Sequence, residues 1–405
     1  MRKTIGVLII FVLMAGIAAA QKLDGRKLVV KGGDVAGVFV PVSLAYEGPA
    51  PEGSIQVVDT KNGKVFPATV AGGELVFVVE AIGAKEQLDC QVKALKEKTA
   101  PKVNITRAAD GDRLEVAVNG EPFTVYNYSN DNRKPFLWPV YGEGKVGMTR
   151  NWPMDPNETI SRDHVHHKGI WSSYGDLNGV DCWGETGDKA GFQHSDEVTF
   201  GAGDAFAWIK AKNTWQDKDH KPVVAEEREY RFYATPAGAR LFDQSITFTA
   251  SYGTVLFKDT KEGGLIAFRI RPDITETSKK GVITNASGAK GMKECWGKPS
   301  PWTDYSGPIE GVGTRGIAVF DYPGNMRYPT TWHIRDYGLN GANCFGLSYF
   351  TENSEKKENG DFTLEAGKAM TFRYRVMIHS GDVNEAKVAD RCANFTNPPV
   401  VEWIK

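Results

Sequence analysis

Hydrophobic and polar residues alternate along most of this chain with a period of two. From Thr371 to His379, residues Phe372, Tyr374, Val376 and Ile378 fall on one side, and Arg373, Arg375 and His379 on the other. That is the pattern of a strand with one buried face. The runs RLEVAVNG, PFTVYNY, EVTFGAG, AFAWIKAKNTW, EEREYRFYA, RLFDQSITFTA, LIAFRIRP, GIAVFDYP and NCFGLSYF read the same way. A helical pattern surfaces only near the end, in VNEAKVADRCANF. So many strands with so little helix predict an all-β fold, a large sandwich of two antiparallel sheets.

Upstream, KLVVKG, GVFVPVSLAYEG, SIQVVDT, ELVFVVEAI and LDCQVKAL are short β-branched runs separated by turn-rich pieces. That spacing predicts a small immunoglobulin-like sandwich over 21–100. KEKTAPKVN, charged and containing Pro101, is the expected linker to a larger sandwich over 105–405. At the N-terminus, Arg2 and Lys3 precede the apolar run Ile5 to Ile17 and three alanines. A charged start, a short apolar stretch and small residues describe a cleaved secretory leader over 1–20. The run is shorter than the roughly 20 residues of a membrane span. The expected mature protein is exported, periplasmic or secreted, with no membrane attachment after cleavage.

Composition adds exclusions. Lys plus Arg is 49 and Asp plus Glu is 50, without the basic excess that phosphate neutralisation requires, so nucleic acid is not an expected partner. No GxSxG elbow, Walker loop or GxGxxG follows a strand, which argues against serine hydrolase, P-loop and dinucleotide functions. The five cysteines form no CxxC pair. In an oxidising compartment they allow one or two disulfides, with at least one thiol left over in a monomer.

The chemistry-bearing residues concentrate in SRDHVHHKGIWSSYGDLNGVDCWGE, Ser161 to Glu185, which holds three of the seven histidines. Asn178-Gly179 is a strong type I′ hairpin signal. Pairing outward from it places Ser172, Tyr174, Asp176, Asp181, Trp183 and Glu185 on one face. If the strand extends back, His164, His166 and Lys168 join that face and His167 points away. Trp171 lies on the other face with Ser173, Leu177, Val180 and Cys182. A second concentration, YPTTWHIRDY, puts His333, Arg335 and Tyr337 on one side of a strand, and TRNWPMD supplies Arg150 and Trp152 upstream. His220 and His379 read as surface positions.

Three chemistries can use this set. A divalent metal site would take His164, His166 and His194 as ligands, with Glu185 or an aspartate as another choice. Metal-free acid/base work would take His164, His166 or His333 with Glu185 or Asp181. Glycoside hydrolysis would take a carboxylate pair such as Asp176 and Asp181, although aspartates beside an Asn-Gly loop are commonly turn residues. Under any of these, Arg150, Lys168, Arg335 and Tyr337 would hold polar groups of a substrate. Trp152, Trp171, Tyr174 and Trp183 would line the site, the tryptophans stacking on a ring.

The strings KPFLWPVYG, TRNWPMD, DHVHHKGIW, GDLNGVDCWGE, KECWGKPSPWTDYSGP and FDYPGNMRYPTTWHIRDYGLNGANCFG resemble the motifs of a bacterial family named PmoA-like, of unknown function, over about 105–379. DHVHH stands where that family has DHPHH, which leaves the histidines unchanged. The methane oxygenase behind the name needs several membrane spans, and this sequence has none after its leader. The resemblance implies sugar catabolism by association, and its fold resembles the galactose-mutarotase supersandwich. Fold alone does not fix function. The expected function is acid/base chemistry on a sugar or oligosaccharide, as a lyase, glycosidase or epimerase. The alternatives are a non-catalytic carbohydrate-binding protein or a metal-dependent hydrolase. No cofactor is required by the first reading.

Overall fold

A computed structural model describes residues 22–351 and 358–404; the leader expected at 1–20 lies outside the described residues. The chain is nearly all β, in three main antiparallel sheets. No helix among the described residues is long and apolar enough to cross a membrane.

The N-terminal module is one seven-stranded sheet. Its order is Gly37–Ala45, Glu74–Ile82, Val65–Ala71, Ile55–Asp59, Gln87–Ala94, Lys27–Lys31 and Val400–Trp403. Alternate residues of its strands, including Val40, Val42, Val57, Phe77, Val79, Leu88 and Val92, form its core, as the period of two requires. The final strand was expected to belong to the larger sandwich. Instead it pairs with Lys27–Lys31. Trp403 Nε1 donates to the Ala45 carbonyl at 3.0 Å, so the two edges of one curled sheet meet, where an immunoglobulin sandwich has two hydrogen-bonded sheets.

The larger unit stacks two eight-stranded sheets. The first runs Trp332–Ile334, Leu339–Ala342, Gly263–Arg269, Ile170–Tyr174, Phe136–Val140, Glu121–Asn127, Arg113–Val118 and Val103–Arg107. The second runs Phe192–Gly201, Phe206–Gln216, Pro222–Tyr233, Ala239–Thr249, Ala369–Ser380, Gly313–Asp321, Trp302–Ile309 and Val282–Asn285. Their facing sides share one core. Phe372, Tyr374, Val376 and Ile378 enter it together, as their alternation predicts. The opposite side of the second sheet packs on the N-terminal module, where Val76 and Val78 meet Phe206, Leu241 and Met377. The helix Val388–Thr396 adds Val388, Cys392 and Phe395 to this contact.

Two expectations change here. His379 is buried, with Nε2 2.6 Å from Asp304 Oδ2, because its ring lies across Gly316 of the adjacent strand, which has no side chain to exclude it. All five cysteines are buried free thiols, so no disulfide forms among them.

Candidate functional site

One side of the first sheet lies in the shared core; the other carries the chemistry. Strand alternation sends Ile170, Tyr174, Leu137, Phe268, Trp332 and Ile334 inward. It sends Trp171, Phe136, Trp138 and Ala267 outward, where Trp183 and Tyr337 pack on them. His333, between Trp332 and Ile334, also points outward, its ring 6.1 Å from that of Trp183.

The segment between Phe136–Val140 and Ile170–Tyr174 folds over this outward side. It does not extend the strand, so the expected face of His164, His166 and Lys168 does not form. The cause is Arg150, which is fully buried. Its guanidinium donates to the carbonyls of Asp163 (2.8 Å), His164 (2.9 Å) and His167 (3.2 Å) and to Asp163 Oδ1 (2.5 Å). Buried backbone carbonyls need donors, and a planar guanidinium serving three of them curls the loop. His164 takes φ 43° in that curl, and His167 N–H closes a turn to its carbonyl at 3.0 Å.

The curl stacks the rings. His164 lies on Tyr337 (centroids 5.0 Å) and on His167 (4.9 Å), and His167 lies on Trp171 (5.1 Å). His166 stands edge-on to His167 at 4.4 Å and 5.6 Å from His164. Three histidines thus share one cluster, with His167 at its centre.

Hydrogen bonds fix two tautomers. Arg269 Nη1 donates to His167 Nδ1 at 3.0 Å. Arginine only donates, so neutral His167 carries its proton on Nε2. His164 Nδ1 lies 2.6 Å from Asp163 Oδ2; a carboxylate accepts, which leaves Nε2 of neutral His164 with its lone pair. Arg269 also donates to both Asp163 oxygens, at 2.8 and 3.0 Å. Burial alone would raise the Asp163 carboxyl. Arg269, then His164 and Arg150, outweigh it and hold the group well below its ordinary value. Burial, with Lys134 and His164 nearby, holds His166 down to about 3, so it is neutral at neutral pH. Burial holds His167 and His333 well below the ordinary histidine value.

Glu185 sits at φ 60°, between two ammonium groups: Lys134 Nζ at 2.7 Å and Lys168 Nζ at 2.9 Å. Burial pushes its carboxyl up, but Lys134 and Lys168 prevail and the group lies below its ordinary value. Lys134 is fully buried and its own value is lowered by that burial, against the pull of Glu185.

The hairpin departs from its expected pairing after one step. Asn178 and Gly179 take φ 53° and 87°, as a type I′ turn requires, and Leu177 pairs with Val180. Then Asp181 Oδ1 accepts the N–H groups of Trp183 (2.8 Å) and Gly184 (2.9 Å), and the chain turns away. Asp181 is therefore a turn residue, its carboxyl raised by burial. Asp176 accepts the Gly179 N–H at 2.8 Å. The carboxylate pair for glycoside hydrolysis is not formed. Tyr174, expected on the polar face, is in the core, its hydroxyl donating to the Lys258 carbonyl at 2.6 Å. Trp171 is fully buried and Trp183 nearly so, so neither offers a ring face to a sugar; the half-buried Trp138 does. Trp152 lies under Arg162, 5.0 Å from its ring centroid.

The metal set is not assembled. His194 binds Asp196 (3.1 Å) and Asn130 (3.1 Å) on a strand of the second sheet. Among the described residues no group of three His, Cys, Asp or Glu side chains is arranged to hold a metal ion.

The structure therefore brings together His164, His166, Lys168, Glu185, His333, Arg335 and Tyr337 with Trp171 and Trp183. It adds Asp163, His167, Lys134, Arg269 and Trp138, which sequence reasoning missed. Asp163 and His167 were visible in the same DHVHH string but were lost to the strand assumption. Several buried polar atoms here have no hydrogen-bond partner among the described residues: Nε1 of Trp138, Trp171 and Trp183, and Nδ1 of His333.

No curated protein matches this chain. Among solved structures, the Slr1438 protein of Synechocystis sp. PCC 6803 is similar at 10% identity, covering 70% of this chain and 97% of its own, with a TM-score of 0.29. That likeness is too slight to carry an inference. The model of a family of unknown function, DUF6807, matches residues 113–393, and the chain belongs to that family.

Proposed function

We propose that this is an exported carbohydrate-active protein that performs acid/base chemistry on a sugar or oligosaccharide at the face built from Trp138, His164, His166 and His333. The observation that carries the reading is the half-buried ring of Trp138, packed against the cluster of Trp171 and Trp183 on the side of the sheet that carries the exposed His164 and the half-buried His166. A sugar suits such a side: its hydroxyls donate to an imidazole nitrogen of His164 or His166. Its C–H face fits an aromatic ring. Trp138 makes no ring–ring or cation–π contact among the described residues, which suits it to that contact.

His164, oriented by Asp163, is one proton carrier; His166, neutral and with no protein hydrogen-bond partner among the described residues, is the other. Their ring centroids are 5.6 Å apart. A glycosidase needs a carboxylic acid that keeps its proton, and Glu185, held ionised by two lysines, does not provide one. The geometry favours a lyase or epimerase, in which an imidazole removes a proton and, as the imidazolium so formed, returns it. Glu185 then holds Lys134 and Lys168 in place.

A second reading, binding without catalysis, is favoured by the low basicity of His166. Incubation with an oligosaccharide panel, followed by mass spectrometry of products and by calorimetry, separates the two. Turnover lost in His164→Ala and His166→Ala supports the enzyme. Binding without turnover supports the binding protein. Neither binding nor turnover across the panel rejects both.

A further inference from the structure

The cations of this face outnumber the carboxylates they meet. Lys134 and Lys168 share Glu185, and Arg150 and Arg269 share Asp163. Arg335 has no carboxylate within ion-pair distance among the described residues. Its guanidinium lies 5.4 Å over the ring of Trp296, is half-buried, hydrogen-bonds the Tyr337 hydroxyl, and acts electrostatically on His333. Tyr337 stacks on His164, and His333 adjoins Trp183. A planar five-donor group is thus fixed against an aromatic ring beside the proton-carrying histidines, with its charge uncompensated. The surrounding excess is local, because the whole chain has a net charge of -1.

Resting on the sugar reading above, we infer that the ligand carries an anionic substituent, a ring carboxylate or a sulfate ester, and that Arg335 receives it. Arginine's fork matches either anion with two parallel hydrogen bonds. The surplus from the Lys134–Glu185–Lys168 and Arg150–Asp163–Arg269 groups adds long-range attraction, focused by the apolar wall of Trp171 and Trp183.

The test is calorimetry with sets of oligosaccharides of matched length and linkage: neutral, uronate-containing and sulfated. The wild-type chain, Arg335→Gln and Arg335→Lys are compared, at low and high salt. The expected result is preference for one acidic series, weakened by salt. Arg335→Gln should lose about tenfold or more in affinity for that series, with Arg335→Lys between the two. Uronate-only binding names a carboxylate, and sulfate-only binding names an ester; either supports the inference. Equal binding of neutral and acidic series, insensitive to salt, overturns it and leaves the sugar reading standing. That comparison needs no variant, so a misfolded Arg335→Gln does not blunt it. Binding of none of the three series removes the sugar reading, and this inference with it.

Discussion

Asp163 Oδ2 lies 2.6 Å from His164 Nδ1, while Oδ1 of the same carboxylate meets Arg150 at 2.5 Å and Arg269 at 2.8 Å. One side chain therefore orients a proton carrier and is the shared counter-charge of two guanidinium groups, Arg150 and Arg269. Asp163→Asn keeps the volume and removes the charge. It should destabilise the fold by about 2 kcal/mol, less than for a fully enclosed pair because Asp163 is partly open to water. It should cost about 10²–10⁴-fold in turnover of an identified substrate. Urea unfolding and the long-range imidazole spectrum of His164 check this. Unchanged stability together with an unchanged Nδ1–H tautomer would show that Asp163 does neither job.

The same cluster sets the response to acid. His166 has a folded value of about 3 against roughly 6.5 unfolded. Between those limits the unfolded chain binds a proton that the folded chain refuses, so stability falls as pH falls from 6.5 toward 3. Asp163 and Glu185 have lowered folded values. Their contribution is present above the ordinary carboxylate range and is lost as pH falls through it, in the same direction. Urea midpoints at pH 7, 6, 5 and 4 should decline steadily. His166→Gln should remove about 1 kcal/mol per pH unit of that slope between pH 6 and 4. An identical slope in the variant would place the proton uptake elsewhere.

How far the sequence revealed this depends on the kind of signal. Period-two alternation placed Phe372, Tyr374, Val376 and Ile378 in one core and turned His333 away from Trp332 and Ile334, because strand geometry alone decides those faces. The Asn178-Gly179 turn was equally legible. What failed was extrapolation past each strand end. Val180 to Glu185 was paired onward, but the Asp181 carboxylate captures two backbone N–H groups and ends the pairing. His164 to Lys168 was read as extended, but Arg150, far enough upstream to be invisible to local periodicity, curls that segment. The return of Val400–Trp403 to the N-terminal sheet is likewise long-range and leaves no local trace.

Gly169 joins the histidine loop to its strand at φ 56°, and a Cβ there would lie 2.1 Å from the Leu137 carbonyl oxygen. Neither the conformation nor the space admits a side chain. Gly169→Ala should cost about 3 kcal/mol or more and displace the loop from Phe136–Val140. Gly179→Ala, at positive φ but in open space, should cost about 1 kcal/mol. Thermal unfolding of the two variants checks the order; equal losses would mean that conformation, not the contact with Leu137, governs position 169.

Burial pushes the thiols of Cys90, Cys344 and Cys392 up to about 12, and Cys182 and Cys295 are buried as well. Thiolate is the reactive form, so native protein at pH 8 should take up almost no iodoacetamide in minutes, while denatured, unreduced protein should take up five equivalents. Intact mass spectrometry reads both. Fewer than five labels without prior reduction would reveal a disulfide.

Lys134 and Glu185 offer the sharpest separation of charge from packing. Lys134 has no exposure, and its ammonium meets Glu185 Oε1 at 2.7 Å and the Trp183 carbonyl at 3.1 Å. Glu185→Gln leaves that ammonium buried without its counter-charge and should cost about 3–5 kcal/mol. Lys134→Met leaves Glu185 with Lys168 alone, a milder loss of about 1–2 kcal/mol, because Lys168 at 2.9 Å remains. The double variant should be more stable than Glu185→Gln alone, because no isolated buried charge is left, and urea unfolding of all four proteins gives the coupling directly. If the two losses simply add, the pair contributes through volume and not through charge, and the ionised state of Glu185 would need another cause.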